Sequence, residues 1–311
     1  MCIRDSYRSG ERNTKAISFY NKLIDKNPYN PSYWTGLAKC HFSQQEFDKA
    51  VEACDFALAA DDKFGEAHII RAHSLFHLEN ETEAIQEYQL ALQSKSLPPD
   101  FAHMFIGLAY ANQEKWELAY RSYEQAMEII GDDNSPILSD IYSNEIFCLS
   151  KLGRYEEAHQ LCEKAKKQLP ESVEIYLQEG RLYLEEDKFE EAKQCWAVAL
   201  QYAPEAETLV QIGNYSLDYG MVENARLCFE EAKKQDPDYP GINGRLASIC
   251  MILRDHKGFQ KYNQMSETPL NIEMIQEMLS QNTDKDILQN LETFMNELDD
   301  VNDGETEEEN N

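Results

Sequence analysis

A chain of 311 residues with 57 acidic against 29 basic side chains and a formal net charge of −28 lacks the clustered lysine and arginine that displace counterions from a nucleic acid, which excludes that class of partner. Its 42% hydrophobic content suits one extended solenoid or two compact domains, and no apolar run approaches the length of about 18 residues that a membrane span needs.

Residues 1–6, MCIRDS, have no apolar stretch of the kind found in a secretory signal. They read as a non-native leader resembling a translated adapter remnant, on a chain truncated at its N-terminus. From residue 7 a helical phrase begins, with Ala16, Tyr20 and Leu23 on one face and Pro28 behind it. The same i, i+4, i+7 face returns around Ala50, Ala84, Ala119, Ala158, Ala192 and Ala225, at spacings of 34, 34, 35, 39, 34 and 33 residues. Four residues after these alanines stand Cys54, Tyr88, Tyr123, Cys162, Trp196 and Phe229.

Twelve residues before most of the alanines lies a small residue, Ala38, Ala72, Gly107, Gly180 or Gly213, on a preceding helix. Small residues there allow close helix approach, with Trp34, Tyr142 or Tyr176 filling space beside them. Ile146 takes this place in the fifth copy, and Phe259 replaces the alanine in an eighth. Gly153 and Gly220 punctuate the helix pairs, and Pro28, Pro170, Pro204 and Pro237 end the second helices. Each unit is therefore helix, tight turn, helix. Such a short hairpin is marginal alone, and stacking on its neighbours builds the core.

Two breaks interrupt the register: a turn at residues 97–100, and residues 131–136 in a five-residue expansion between the fourth and fifth copies. The repeats end near residue 267. Residues 268–298 read as C-terminal helices, with Ile287, Leu288, Leu291, Phe294, Met295 and Leu298 in an apolar stripe that either caps the last repeat or occupies a groove in cis through residues 284–298. Residues 299–311 read as an acidic disordered tail.

None of the eight cysteines forms a CxxC pair or a zinc spacing. Cys54, Cys162, Cys40 and Cys148 occupy packing positions, which fits reduced thiols in a cytoplasm. His73 and His77 stand one helical turn apart but have no evident third ligand, so no metal or other cofactor is expected. No glycine-rich phosphate loop, nucleophile elbow or Cys/His dyad is present, and the expectation is a non-enzyme.

The period, WTGLA at residues 34–38, IGLAY at residues 106–110, the pairs Ala192/Trp196 and Ala225/Phe229 and the closing prolines together resemble the tetratricopeptide repeat, as a multi-repeat protein of bacterial type. The resemblance covers roughly residues 7–265. It implies an all-α, right-handed superhelical solenoid of stacked helix-turn-helix repeats, whose first helices line a concave groove for a partner's peptide or helix. Carried onto this chain, the inward positions are Lys39, Phe42, Ile69, His73, Phe76, His77, Met104, Leu108, Asn112, Phe147, Lys151, Leu177, Arg181 and Leu184, continuing through Val210, Asn214 and Leu217. The family's carboxylate clamp places lysine where this chain has Thr35, Ile69, Met104, Ser143, Leu177 and Val210, so the clamp is absent.

The expected function is a cytoplasmic, non-catalytic scaffold that binds a protein segment, apolar with acidic flanks, in this groove. The alternatives are the non-catalytic repeat region of a larger, truncated enzyme or secretion-assembly protein, or a self-associating array that exposes Ile17, Tyr20, Leu23 and Ile24 at its N-terminal end.

Overall fold

The computed structural model describes residues 3–131 and 135–270, residues 3–13 by backbone alone. Met1, Cys2, the middle of the 131–136 loop, the expected C-terminal helix at 284–298 and the expected tail at 299–311 lie outside the described residues. In chain order the helices are α1 (Ile3–Lys26), α2 (Pro31–Ser43), α3 (Phe47–Ala60), α4 (Gly65–His77), α5 (Glu81–Gln93), α6 (Pro99–Asn112), α7 (Trp116–Ile130), α8 (Leu138–Lys151), α9 (Tyr155–Gln168), α10 (Val173–Glu185), α11 (Phe189–Tyr202), α12 (Ala206–Asp218), α13 (Val222–Gln235), α14 (Ile242–Ile252) and α15 (His256–Gln264). No strand occurs among the described residues, and the fold is an all-α helical repeat. It divides into two compact units, one running to Pro170 and the other starting at Glu171. In the first unit each helix packs on its chain neighbours, and α2 and α6 also reach α4 and α8. The second unit is built from the hairpins α10/α11, α12/α13 and α14/α15.

Every first helix closes in the same way. The residue after the helix end takes the left-handed conformation: Gln45, Glu79, Glu114, Gly153, Asp187, Gly220 and Arg254 all have φ between 56° and 72°. The following N–H reaches back to the last turn, as in Glu46 N to His41 O at 3.0 Å and Met221 N to Ser216 O at 2.7 Å. This is the Schellman closure, which satisfies carbonyls that a helix end would otherwise leave open. Glycine meets the geometry without strain at two turns only; at the other five a side chain adopts it at a cost of about 1 kcal/mol. The segment at 97–100 departs from the expected turn. Pro99 opens α6 at its first positions, where a missing N–H removes no helical bond, so half of the segment is helix.

Packing between paired helices sets a ring against a small residue in several copies. A Cβ on Gly107 would lie 2.5 Å from the Tyr123 ring, and one on Gly180 would lie 2.2 Å from Trp196 Nε1. The large aromatic therefore rests on bare backbone. Where the fifth copy has Ile146 instead of a small residue, its partner shrinks to Cys162, and both are buried. In that copy the two positions exchange bulk, whereas in the second copy Ala38 and Cys54 are both small and both buried.

At the N-terminal end, α1 is a full helix lying on α2. Ile24 is buried, and Ile17 and Tyr20 pack against a cluster containing Leu37, Ala38 and Cys54. Leu23 is half-buried as well, so the apolar patch expected there for self-association is partly covered by α2.

Candidate functional site

The predicted inward positions of the first unit fall on α2, α4, α6 and α8, and aromatic rings link them. The Phe47 ring stacks flat on His77 at 4.5 Å, and Phe42 meets His77 at 5.5 Å and Phe47 at 5.4 Å. The chain of rings continues through His73 to Phe105 at 4.7 Å and from Phe105 to Tyr88 at 5.3 Å. Further along, Trp116 meets Phe147 edge-on at 5.4 Å, and Lys151 Nζ stands 5.5 Å over the Phe147 ring. Phe42, Phe47, Phe76, Ile69, Leu108, Phe105 and Phe147 are half-buried, and His77 and Asn112 are exposed. The result is a seam of apolar faces with open edges.

His73 is held inside the seam. Its Nδ1 shares a 2.8 Å hydrogen bond with Tyr88 Oη, and burial, reinforced by the neighbouring His77, pushes its pKa down to about 4. It is neutral at physiological pH. No group of three His, Cys, Asp or Glu side chains among the described residues is arranged to hold a metal ion, and His77 is engaged by its face with Phe47.

Four groove candidates are misplaced by the sequence projection. Met104 is 7% exposed, Leu177 3%, Leu184 1% and Val210 2%, so none can meet a partner. Leu177 and Leu184 join Trp196, Ala199 and Ile212 in the core of the second unit. A first helix with neighbours on both sides turns a wider arc inward than one repeat shows. Arg181, also in that unit, lies 3.8 Å from Glu185 and 5.7 Å from the Tyr215 ring. Lys39 pairs with Glu66, one of the first-turn acids, which therefore neutralises a predicted basic contact. Thr35 and Val210, two of the positions at which the family's clamp would need lysine, are themselves buried.

Phe47 and Phe105 belong to the seam yet were absent from the projection. Phe47 had a visible signal: three residues before the phrase alanine the chain carries Phe47, Trp116, Tyr155 and Phe189. This aromatic opens the second helix and leans over the end of the first. Phe105 had no comparable signal, since only packing brings it to His73.

Three stretches of the chain match family models: residues 149–211 and 102–137 match tetratricopeptide repeats, and residues 11–91 match subunit 3 of the anaphase-promoting complex, or cyclosome. Anaphase-promoting complex subunit 7 of Dictyostelium discoideum is 23% identical over 250 residues, covering 78% of this chain and 41% of its own length. The human DnaJ homolog subfamily C member 7 is 22% identical over 261 residues, covering 78% of this chain and 53% of its own length. The chain thus spans about half the length of these relatives. Among solved structures, yeast Tom70 superposes with a TM-score of 0.63 at 17% identity, over 92% of this chain and 58% of that one. A tetratricopeptide repeat protein from Parabacteroides merdae gives 0.61 at 20% identity, over 80% and 97%. At these identities the structural likeness shows the fold alone.

Proposed function

The chain is a tetratricopeptide-repeat protein, and from that premise we propose that it works as a non-catalytic scaffold holding a partner's helix or extended segment against the seam formed by α2, α4, α6 and α8. The observation that carries this reading is the open run of rings Phe47, His77, Phe42 and Phe105, half-buried or exposed on the first helices α2, α4 and α6 and, for Phe47, at the start of α3. Aromatic faces with polar edges supply large contact area at small entropic cost, and grooves of this kind take apolar anchors at helical spacing. The occupant is apolar, with acidic flanks that meet Lys151 beside Phe147 and, by exchange with Glu66, Lys39.

Relatives support protein binding as the broad role, among them the Hsp70-Hsp90 organizing protein of Triticum aestivum, 23% identical over 241 residues that cover 66% of this chain and 40% of its own length. No described helix is long and apolar enough to cross a membrane. Seven described cysteines carry free thiols, which supports a reducing, cytoplasmic setting.

The test is site-specific photocrosslinking in the full chain. A crosslinker at Phe76 or Asn112 is expected to capture the partner, and one at the exposed Leu227 is not. With the captured partner purified, Phe42→Ala combined with His77→Ala weakens its binding at least tenfold by calorimetry. Unchanged affinity would remove the seam as the docking face.

A further inference from the structure

The α7, α8 and α9 helices enclose a pocket of about 400 Å³ that the seam does not use. Its floor is Glu145, 4% exposed. Glu145 stands two residues from Phe147, about 160° around α8 at 3.6 residues per turn, so the pocket opens away from the seam. Among the described residues Glu145 makes no hydrogen bond and no ion pair. Burial in the first place, and then the Glu124 carboxylate, push its pKa up to about 8, against the pull of Lys164. A buried carboxyl without a partner is costly, and nearly all such groups are satisfied.

The other walls favour positive charge. Glu124 and Glu128 stand exposed at the mouth. Both tyrosine walls already carry cations: the Arg154 guanidinium lies 4.9 Å over the Tyr120 ring, and Lys164 Nζ lies 5.8 Å over the Tyr142 ring. The last turn of α7, with Met127, Glu128 and Gly131 on the pocket and no basic residue in it, directs the negative end of the helix dipole there.

The molecule also contains a filled version of the same place. Counting from the phrase alanines, Arg71 on α4 and Glu145 on α8 share one position, thirteen residues before Ala84 and Ala158; Asp55 and Glu124 share another, five residues after Ala50 and Ala119. In the α3–α5 triplet the Arg71 guanidinium lies between Asp55 and Glu87, each at 2.8 Å. In the α7–α9 triplet the acid of the preceding helix remains, the arginine is replaced by Glu145, and space opens where the guanidinium would be. We propose that this pocket is a second docking point that takes the guanidinium end of an arginine side chain presented by a partner protein. Glu145 and Glu124 then act as the paired carboxylates, and Tyr120 and Tyr142 flank the alkyl stem. The inference rests on the chain being a protein binder but not on the seam, which lies on the other face of α8.

The experiment uses the full chain with carbon-13 labelled glutamate, titrated with N-acetyl-arginine N-methylamide. The Glu145 carboxyl resonance is expected to shift on saturation, and the isosteric uncharged citrulline derivative to bind at least tenfold more weakly. Glu145→Gln is expected to weaken the arginine probe at least tenfold. Lys164→Met, which removes the tethered competing cation from an exposed position, is expected to tighten it severalfold.

The charged and titratable groups facing Glu145 are Tyr120, Tyr123, Glu124 and Glu128 on α7, Tyr142 and Cys148 on α8 and Lys164 on α9. With Glu145 neutral below about 8, binding a cation expels its proton, so affinity rises roughly tenfold between pH 6.5 and 7.5. Equal affinity for the citrulline derivative, or no loss in Glu145→Gln, overturns the proposal. So does a pocket that binds agmatine but excludes a single arginine within an alanine-based peptide, since the ligand is then a small free amine. Phe42→Ala leaves the arginine probe's affinity unchanged, so failure of the seam and failure of the pocket are read separately.

Discussion

In the α3–α5 triplet the buried charge is answered from within: Arg71 bridges Asp55 and Glu87, and Glu87 also takes the His68 ring at 2.6 Å. In the α7–α9 triplet the corresponding position holds an acid whose nearest charges are another acid and a lysine outside ion-pair reach. The helical phrase is shared, and so is the backbone closure. The difference shows that a repeat scaffold tolerates either arrangement, because its stability comes from stacked apolar faces summed along the array and not from any one polar contact. One triplet is closed by its own chemistry; the other is left open to a ligand.

The largest effect that would break the comparison is at Arg71. Arg71→Gln leaves Glu87 buried with only His68 beside it, and is expected to destabilise the protein by about 3–5 kcal/mol in urea unfolding. A loss below about 1 kcal/mol would mean that the filled triplet is no better satisfied than the open one.

Glu145→Gln acts in the opposite direction. The folded-state pKa is raised, so the native protein binds more protons than the unfolded chain between about 4.5 and 8, and stability falls as pH rises across that window. The amide variant removes this slope, and is expected to be more stable than the parent by roughly 3 kcal/mol at pH 8 and nearly equal to it at pH 5. Glu145→Arg sharpens the contrast further, since it supplies in cis the guanidinium that Arg71 supplies; it should fold and should no longer bind the arginine probe.

His73 provides the reverse slope in the closed triplet. Its folded pKa of about 4 lies below the unfolded value, so its contribution is complete above about 6.5 and is lost as pH falls toward 4. The loss is expected to be about 2 kcal/mol, and His73→Phe should flatten it. A pH profile in which His73→Phe parallels the parent would show that the ring is solvated.

The smallest effect lies in the turns. Glu79 holds φ 58° after α4, whereas Gly153 holds φ 70° after α8. Glu79→Gly is expected to stabilise by up to about 1 kcal/mol, and Gly153→Ala to destabilise by a similar amount, read as shifts in thermal midpoint. Equal responses at the two turns would remove strain as the reason glycine appears at only some of them.

The helices themselves were legible in the residues, because a helical face is written at i, i+4 and i+7 and each phrase repeats it. Ala50, Tyr88, Ala119 and Trp196 are buried where that pattern puts them. The left-handed turns at Gln45 or Asp187 were not legible, since no glycine marks them and only the closing hydrogen bonds reveal them. Of the seam, Phe42 and His77 followed from the inward positions that the tetratricopeptide resemblance implied, while Phe105 joined only through its contact with His73.

Periodicity within one helix decides which side chains share a face; it does not say how many neighbours close over that face. For that reason the local pattern determined the repeats, the paired helices and the positions of their cores. The packing of adjacent helices alone decided that Met104, Leu177 and Leu184 turn inward, that Lys39 meets Glu66, and that Glu145 is buried facing an open pocket while Arg71, thirteen residues before its own phrase alanine as Glu145 is before its own, is enclosed between carboxylates.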